Sequence, residues 1–220
     1  YSLSFKLLDE TGYWDADLIP EDYHIFFKAF YKSGGKVEVE ALYLPLLADA
    51  PEGDNWIQAI KNQYLQYQRW AWGVSDDPYV IKNYLLTPGV SFFTKSYRLL
   101  ALFRDHFLWP VNWFIITLGL SVPVLLNPEF ARTTLGYTLP GLSSIILTVS
   151  LSFLIIMIFI ESYHRPAAPK GYARWKVILS PLEFLLLPIV GFVLSALPGL
   201  DAHTRLMLGK YMEYRVTEKK

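Results

Sequence analysis

Two short stretches hold the residues best suited to chemistry. In LIPEDYHIFF, residues 18–27, the adjacent carboxylates Glu21 and Asp22 follow Pro20 and precede a strongly apolar helical run. A helix start offers unpaired backbone N–H groups and the positive end of the macrodipole, which hold a carboxylate ionised and aimed, as a general base requires. The same physics makes acidic residues ordinary in a first helical turn, for which Pro20 is preorganised. Helix initiation and catalysis are therefore compatible roles for the pair. In QYLQYQRWAW, residues 63–72, the offsets of three and four place Gln66, Arg69 and Trp70 on one helical face. An amide, a planar cation and a large ring would then point at one spot, Arg69 suited to a phosphate and Trp70 to stacking on a sugar ring. The other reading of this helix is interfacial, with Trp70 and Trp72 at headgroup depth.

The flanking sequence predicts the elements that carry these residues. Residues 1–19 form a connector with a short helix, SFKLLDETG, stopped by Gly12 and followed by the acidic turn WDADLIP. From Pro20, the spacing of Tyr23, Phe26, Phe27, Phe30 and Tyr31 predicts a helix that Gly34 and Gly35 end. In KVEVEALYL the alternation of Val37, Val39, Ala41 and Tyr43 predicts a strand. Helix then strand points to the later part of an α/β domain. PEGDNW is a turn cluster, and Asn55 with Gln58 predicts a capped helix over about 56 to 72. Residues 92–106, FFTKSYRLLALFRDH, suit a helix at a bilayer surface, with Lys95, Arg98 and Arg104 reaching headgroups.

Composition points the same way. Of 220 residues, 53% are hydrophobic, and a mean hydropathy of +0.26 is too apolar for an ordinary soluble protein. Three apolar runs, 107–127, 138–161 and 175–199, are each long enough for a hydrocarbon core that needs about 20 residues. Pro181, Glu183, Pro188 and Pro198 interrupt the third, which marks it as kinked, re-entrant or packed against protein. Balanced charge, with 20 basic and 20 acidic residues, argues against a nucleic-acid partner. The absence of cysteine removes thiol nucleophiles and disulfides, and His24, His106, His164 and His203 lack metal-ligand spacing. Of these only His24, two residues after Asp22, could complete a D-x-H site, though packing is the commoner role. Tyr1 in place of methionine reads as the start of a fragment.

At this point the motifs carry a resemblance. P-E-D at 20–22 is similar to the T-E-D motif, and Q-Y-Q-R-W at 66–70 matches the QxxRW motif, of membrane-embedded family 2 glycosyltransferases, the group of cellulose and hyaluronan synthases. The tail Y-R-V-T-E-K at 214–219 resembles the FxVTxK gating loop of cellulose synthases, with Tyr214 in place of phenylalanine. The resemblance implies the C-terminal portion of an inverting, multi-pass cell-membrane enzyme with its catalytic face in the cytosol. It implies an α/β fold, the later half of a GT-A type domain, over 1–55. Interfacial helices would follow over 56–106, a transmembrane region over 107–199, and a cytosolic tail over 200–220. Asp22 resembles the general base and Glu21 its support. Gln66, Arg69 and Trp70 look like the acceptor and diphosphate face, and Tyr214, Thr217 and Lys219 like gate residues. Pro20 replaces the family's threonine, a hydroxyl this chain lacks there.

The implied partners are a nucleotide-sugar donor, a polysaccharide or lipid-linked acceptor, and membrane lipids. A divalent metal, Mg or Mn, is implied on the donor diphosphate, its ligands lying mainly outside this chain; D-A-D at 15–17 sits too close to the acidic helix start to substitute. The alternatives are non-processive transfer to a lipid acceptor and a non-catalytic scaffold or export subunit. Three plain crossings would leave the basic tail outside, against the cytoplasmic bias of Lys and Arg, so a third run that re-enters fits the tail better.

Overall fold

A computed structural model describes residues 2–44, 51–166, 171 and 173–214. Its helices are α1 (Phe5–Thr11), α2 (Glu21–Lys32), α3 (Trp56–Ala71), α4 (Asp77–Leu86), α5 (Phe92–Phe114), α6 (Val122–Leu126), α7 (Pro128–Ala131), α8 (Thr134–His164), α9 (Arg174–Leu179), α10 (Leu187–Gly191) and α11 (Leu197–Met207). Short 3-10 turns at Trp72–Asp76 and Ser180–Leu186, and π turns at Ile115–Gly119 and Phe192–Ala196, join consecutive helices.

Local signals set several helix ends. Ser4 caps α1 through its side chain, and Gly12, at φ 78°, closes it in the left-handed conformation. Asn55 Oδ1 accepts from Gln58 N at 2.9 Å and starts α3. After α2, Gly35 takes φ 82°, and a Cβ there would lie 2.9 Å from Val90 Cγ1, so only glycine lets the turn seat against that side chain.

The α/β expectation is overturned, because no strand occurs among the described residues. The KVEVEALYL segment is irregular as far as Leu44, with Val39, Leu42, Tyr43 and Leu44 exposed; residues 45–50 lie outside the described set. Alternation only prepares a segment to be a strand. The backbone also needs a neighbouring strand to accept and donate its hydrogen bonds, and none is present among the described residues.

The chain divides into two compact units. The first comprises residues up to Pro110 together with those from Leu197 onward. In its core Phe27, Phe30 and Tyr31 of α2 pack with Val80 of α4, with Val90 just ahead of α5, and with Leu102 of α5. Phe30, Val80 and Leu102 are essentially sealed from solvent. A second cluster joins Ala71 and Trp72 to Ala202 of α11, with Ile19, Trp109 and Met212 against it. Polar bonds lock α3 to α11: Gln68 Nε2 and Tyr64 OH both donate to Asp201 Oδ2, whose other oxygen is 2.7 Å from Arg205 Nε. Gly199 lets α11 approach α5, since a Cβ there would sit 2.9 Å from Trp109 Cδ1 and 3.3 Å from Pro110 Cα.

Of the basic residues expected at headgroups, Lys95 and Arg98 make contacts within this unit, while Arg104 is exposed. Lys95 Nζ donates to Tyr84 O at 2.7 Å, and the Arg98 guanidinium lies 5.4 Å from the Phe26 ring centroid. Arg104 pairs with its neighbour Asp105.

The second unit spans Val111–Ala196. Trp113 Nε1 donates to Pro188 O at 2.8 Å, and the Trp113 and Phe192 rings are 4.6 Å apart between centroids. Pro188 cannot continue an α-helical ladder through its own nitrogen. The proline-interrupted run that follows Arg174 accordingly alternates between α, 3-10 and π geometry.

Two helical stretches are long and apolar enough to cross a membrane, Thr134–His164 and Trp175–Met207. Their most apolar windows are 6% and 0% buried, which separates them from the core helices of soluble proteins. The run expected at 107–127 is shared among the end of α5, a π turn and α6.

Candidate functional site

The first unit contains a cavity of about 370 Å³ lined by residues from four distant parts of the chain. The start of α2 contributes Glu21, Asp22 and Tyr23, and α3 contributes Arg69 and Trp70. Asp105, His106 and Trp109 of α5 form another wall, and Tyr214 arrives from the tail.

Each wall follows from its element. Pro20 precedes α2 with φ −86° and ψ 41° and makes no side-chain cap, so Glu21 rather than Pro20 begins the helix. The Pro20 carbonyl accepts from Tyr23 N and His24 N. The backbone N–H groups of Glu21 and Asp22 come before that first helical bond, and the positive helix end bears on both carboxylates. Asp22 is exposed to the cavity while Glu21 is half-buried. Burial, then the carboxylates of Asp105, Asp77 and Asp76, push the Tyr23 phenol up to about 12, with Arg98 opposing.

On α3, Trp70 is 49% exposed and stands edge-to-face against Tyr67, with centroids 5.2 Å apart. The Arg69 guanidinium lies 5.4 Å over the Tyr214 ring, a cation–π contact that joins the helix to the tail. Arg69 brings a positive charge into the cavity that the carboxylates of α2 also line.

The structure thus brings together Glu21, Asp22, Arg69, Trp70 and Tyr214. Gln66 is not among the lining residues; its Oε1 is buried without a hydrogen-bond partner among the described residues. Thr217 and Lys219 lie outside the described residues. Trp72, considered beside Trp70 as an interfacial anchor, is 4% exposed and belongs to the core.

Asp77, Asp105, His106 and Trp109 were invisible as site residues in the sequence. The one signal that could have found some of them is V-S-D-D-P at 74–78, two adjacent carboxylates ahead of a proline at a helix start. Each carboxylate holds a histidine. Asp76 binds the buried His24, whose Nε2 also lies 3.2 Å from Asp15. Asp77 accepts from His106 Nδ1 at 2.7 Å.

The resemblance also implied a divalent metal. Among the described residues no group of three His, Asp or Glu side chains converges as ligands. Asp15 of D-A-D is committed to Lys28 Nζ at 2.7 Å and to His24, and Asp17 is exposed. His24 is likewise held by two carboxylates rather than presented beside Asp22. These residues do not fit such a site.

Comparison with protein-family models, with curated proteins and with solved structures finds no match to this chain.

Proposed function

We propose that this chain is part of a membrane-integrated inverting glycosyltransferase, similar to the family 2 enzymes, and that the cavity receives the acceptor sugar. One observation carries the reading. The three stretches singled out for chemistry, around residues 21–22, 69–70 and 214, lie far apart in sequence and line one cavity. A carboxylate, a cation and an exposed indole lining one cavity are parts that a sugar-transfer site needs.

In this reading the acceptor sugar stacks on Trp70 with a hydroxyl toward Asp22. The Asp22 carboxylate takes the hydroxyl proton as the oxygen attacks the anomeric carbon of the donor sugar. The bond from that carbon to the phosphate oxygen breaks on the opposite face, so configuration inverts. Arg69 balances the charge left on the departing nucleoside diphosphate. Tyr214, held over Arg69, ties the tail to the same event. The preferred product is a growing polysaccharide.

The exposed apolar helices support residence in a membrane, where lipid covers surface that water would not tolerate. Residues before Pro110 and Tyr214 line one cavity, which supports an even number of crossings between them; the cytosol is the side that a nucleotide-sugar donor requires in this reading. Thr134–His164 and Trp175–Met207 supply two such crossings, and the broken run at 107–127 is then the one that does not cross.

The test is incorporation of labelled sugar from a nucleotide-sugar donor by the full-length protein in membranes, compared with Asp22→Asn. The substitution keeps shape and removes basicity, and transfer should fall by at least about a hundredfold. Activity within about tenfold of the parent, equivalent to about 1.4 kcal/mol of barrier, would remove Asp22 as the base.

A further inference from the structure

Asp76 and Asp77 hold two histidines in different settings. His24 is 6% exposed, and both its ring nitrogens face carboxylates, Nδ1 toward Asp76 and Nε2 toward Asp15. It is consumed by the packing of α2 on the turn before α4. His106 uses only one nitrogen. Its Nδ1 donates to Asp77 Oδ1 at 2.7 Å, and its Nε2 makes no hydrogen bond among the described residues. Unlike His24, it lines the cavity.

Gly73 explains why that nitrogen is not covered. It lines the same cavity, and a Cβ at this position would stand 3.5 Å from His106 Nε2. The missing side chain leaves room beside the nitrogen. Because Asp77 fixes the proton on Nδ1, Nε2 carries a lone pair when the ring is neutral and accepts a hydrogen bond from a ligand hydroxyl. A carboxylate behind the ring also holds its orientation, in the way that outer-shell carboxylates orient histidine ligands.

We propose that His106, held by Asp77 and given room by Gly73, binds a hydroxyl of the acceptor sugar through Nε2 and so helps to select the acceptor. This rests on the glycosyltransferase reading and adds a recognition residue to it. Asp22 acts on the hydroxyl that reacts. His106 holds a different hydroxyl of the sugar stacked on Trp70.

The experiment uses the full-length enzyme in membranes, its labelled nucleotide-sugar donor, and a tetrasaccharide cut from its own product as added acceptor. His106→Asn puts an amide N–H where Nδ1 stood, so it keeps the bond to Asp77 while deleting Nε2. His106→Gln puts a polar atom near Nε2 instead. Gly73→Ala leaves both partners intact and sets a methyl group against the nitrogen. His106→Asn and Gly73→Ala should each raise the acceptor KM by about tenfold with kcat changed by less than about threefold, and His106→Gln should restore part of the loss. If His106 served only to anchor Asp77, asparagine would be the milder replacement and Gly73→Ala would be silent; that result overturns the inference and leaves the glycosyltransferase reading standing. Should His106→Asn fail to fold, Gly73→Ala alone decides, an unchanged KM counting against the proposal. Absence of any transfer by the unaltered enzyme, across nucleotide-hexose donors, removes the glycosyltransferase reading and this inference with it.

Discussion

Trp70 and Trp72 are two residues apart, yet their replacement by alanine should damage different properties. A fully buried indole removes on the order of 200 Å² from water, worth roughly 5 kcal/mol at about 25 cal/mol per Å². Trp72, 4% exposed against Ala71, Ala202 and Met212, approaches that full value. Trp70, 49% exposed at the cavity, retains about half of it, roughly 2–3 kcal/mol as an upper bound. Measured Trp→Ala costs of about 3–5 kcal/mol are a large part of a typical domain stability of about 5–15 kcal/mol. Trp72→Ala should therefore unfold at markedly lower temperature and lose transfer through loss of folded protein. Trp70→Ala should stay folded and, on the glycosyltransferase reading, lose transfer by more than about tenfold, because that reading stacks the acceptor on it. Thermal unfolding followed by tryptophan fluorescence in detergent, beside labelled-sugar transfer, separates the two. Equal, small losses of stability at both positions would refute the packing argument and favour a pair of membrane-interface anchors. Trp70→Ala with transfer within about threefold of the parent would refute the platform.

Gly199→Ala should cost about 1–3 kcal/mol, since its Cβ would stand 2.9 Å from Trp109 Cδ1 and force α11 off α5; an unchanged melting temperature contradicts the close approach. Burial, followed by Tyr79 and Tyr84, raises the Tyr31 phenol to about 12. Between roughly pH 10 and about 12 the unfolded chain gives up this proton while the folded chain keeps it. The stability from Tyr31 is thus whole below that window and is lost as pH rises through it. Urea midpoints should fall between about pH 10 and about 12, less steeply in Tyr31→Phe, and parallel slopes would exclude Tyr31 as a source. A single cysteine placed at the exposed Leu208, in a chain that has none of its own, should react with an impermeant thiol reagent only after the cells are opened. Rapid labelling from outside intact cells would place the tail across the membrane from a cytosolic catalytic site and defeat the even-crossing argument.

Helix initiation, helix termination and the apolar helices were legible in the sequence because each depends on residues within a turn or two of one another. Ser4 or Asn55 at a cap, Gly12 and Gly35 at an exit, and the unbroken apolar composition of Thr134–His164 act through the local backbone or through composition alone. The candidate site was legible in part for the same reason: the helix start at Glu21 and Asp22 and the shared face of Arg69 and Trp70 are local facts. What lies beyond a turn was decided by the tertiary structure. The alternation in KVEVEALYL met no partner strand among the described residues, and a strand is a property of at least two segments. Trp70 and Trp72 look alike in sequence, but the Ala202 side of α11 buries one, and the other is left open to the cavity. Gln66 shares the spacing of Arg69 and Trp70, yet is not among the residues that line the cavity. His106 is held by Asp77, 29 residues away, and faces the cavity beside Gly73. Those pairings form only when the folded chain brings distant residues together, and no sequence period encodes that.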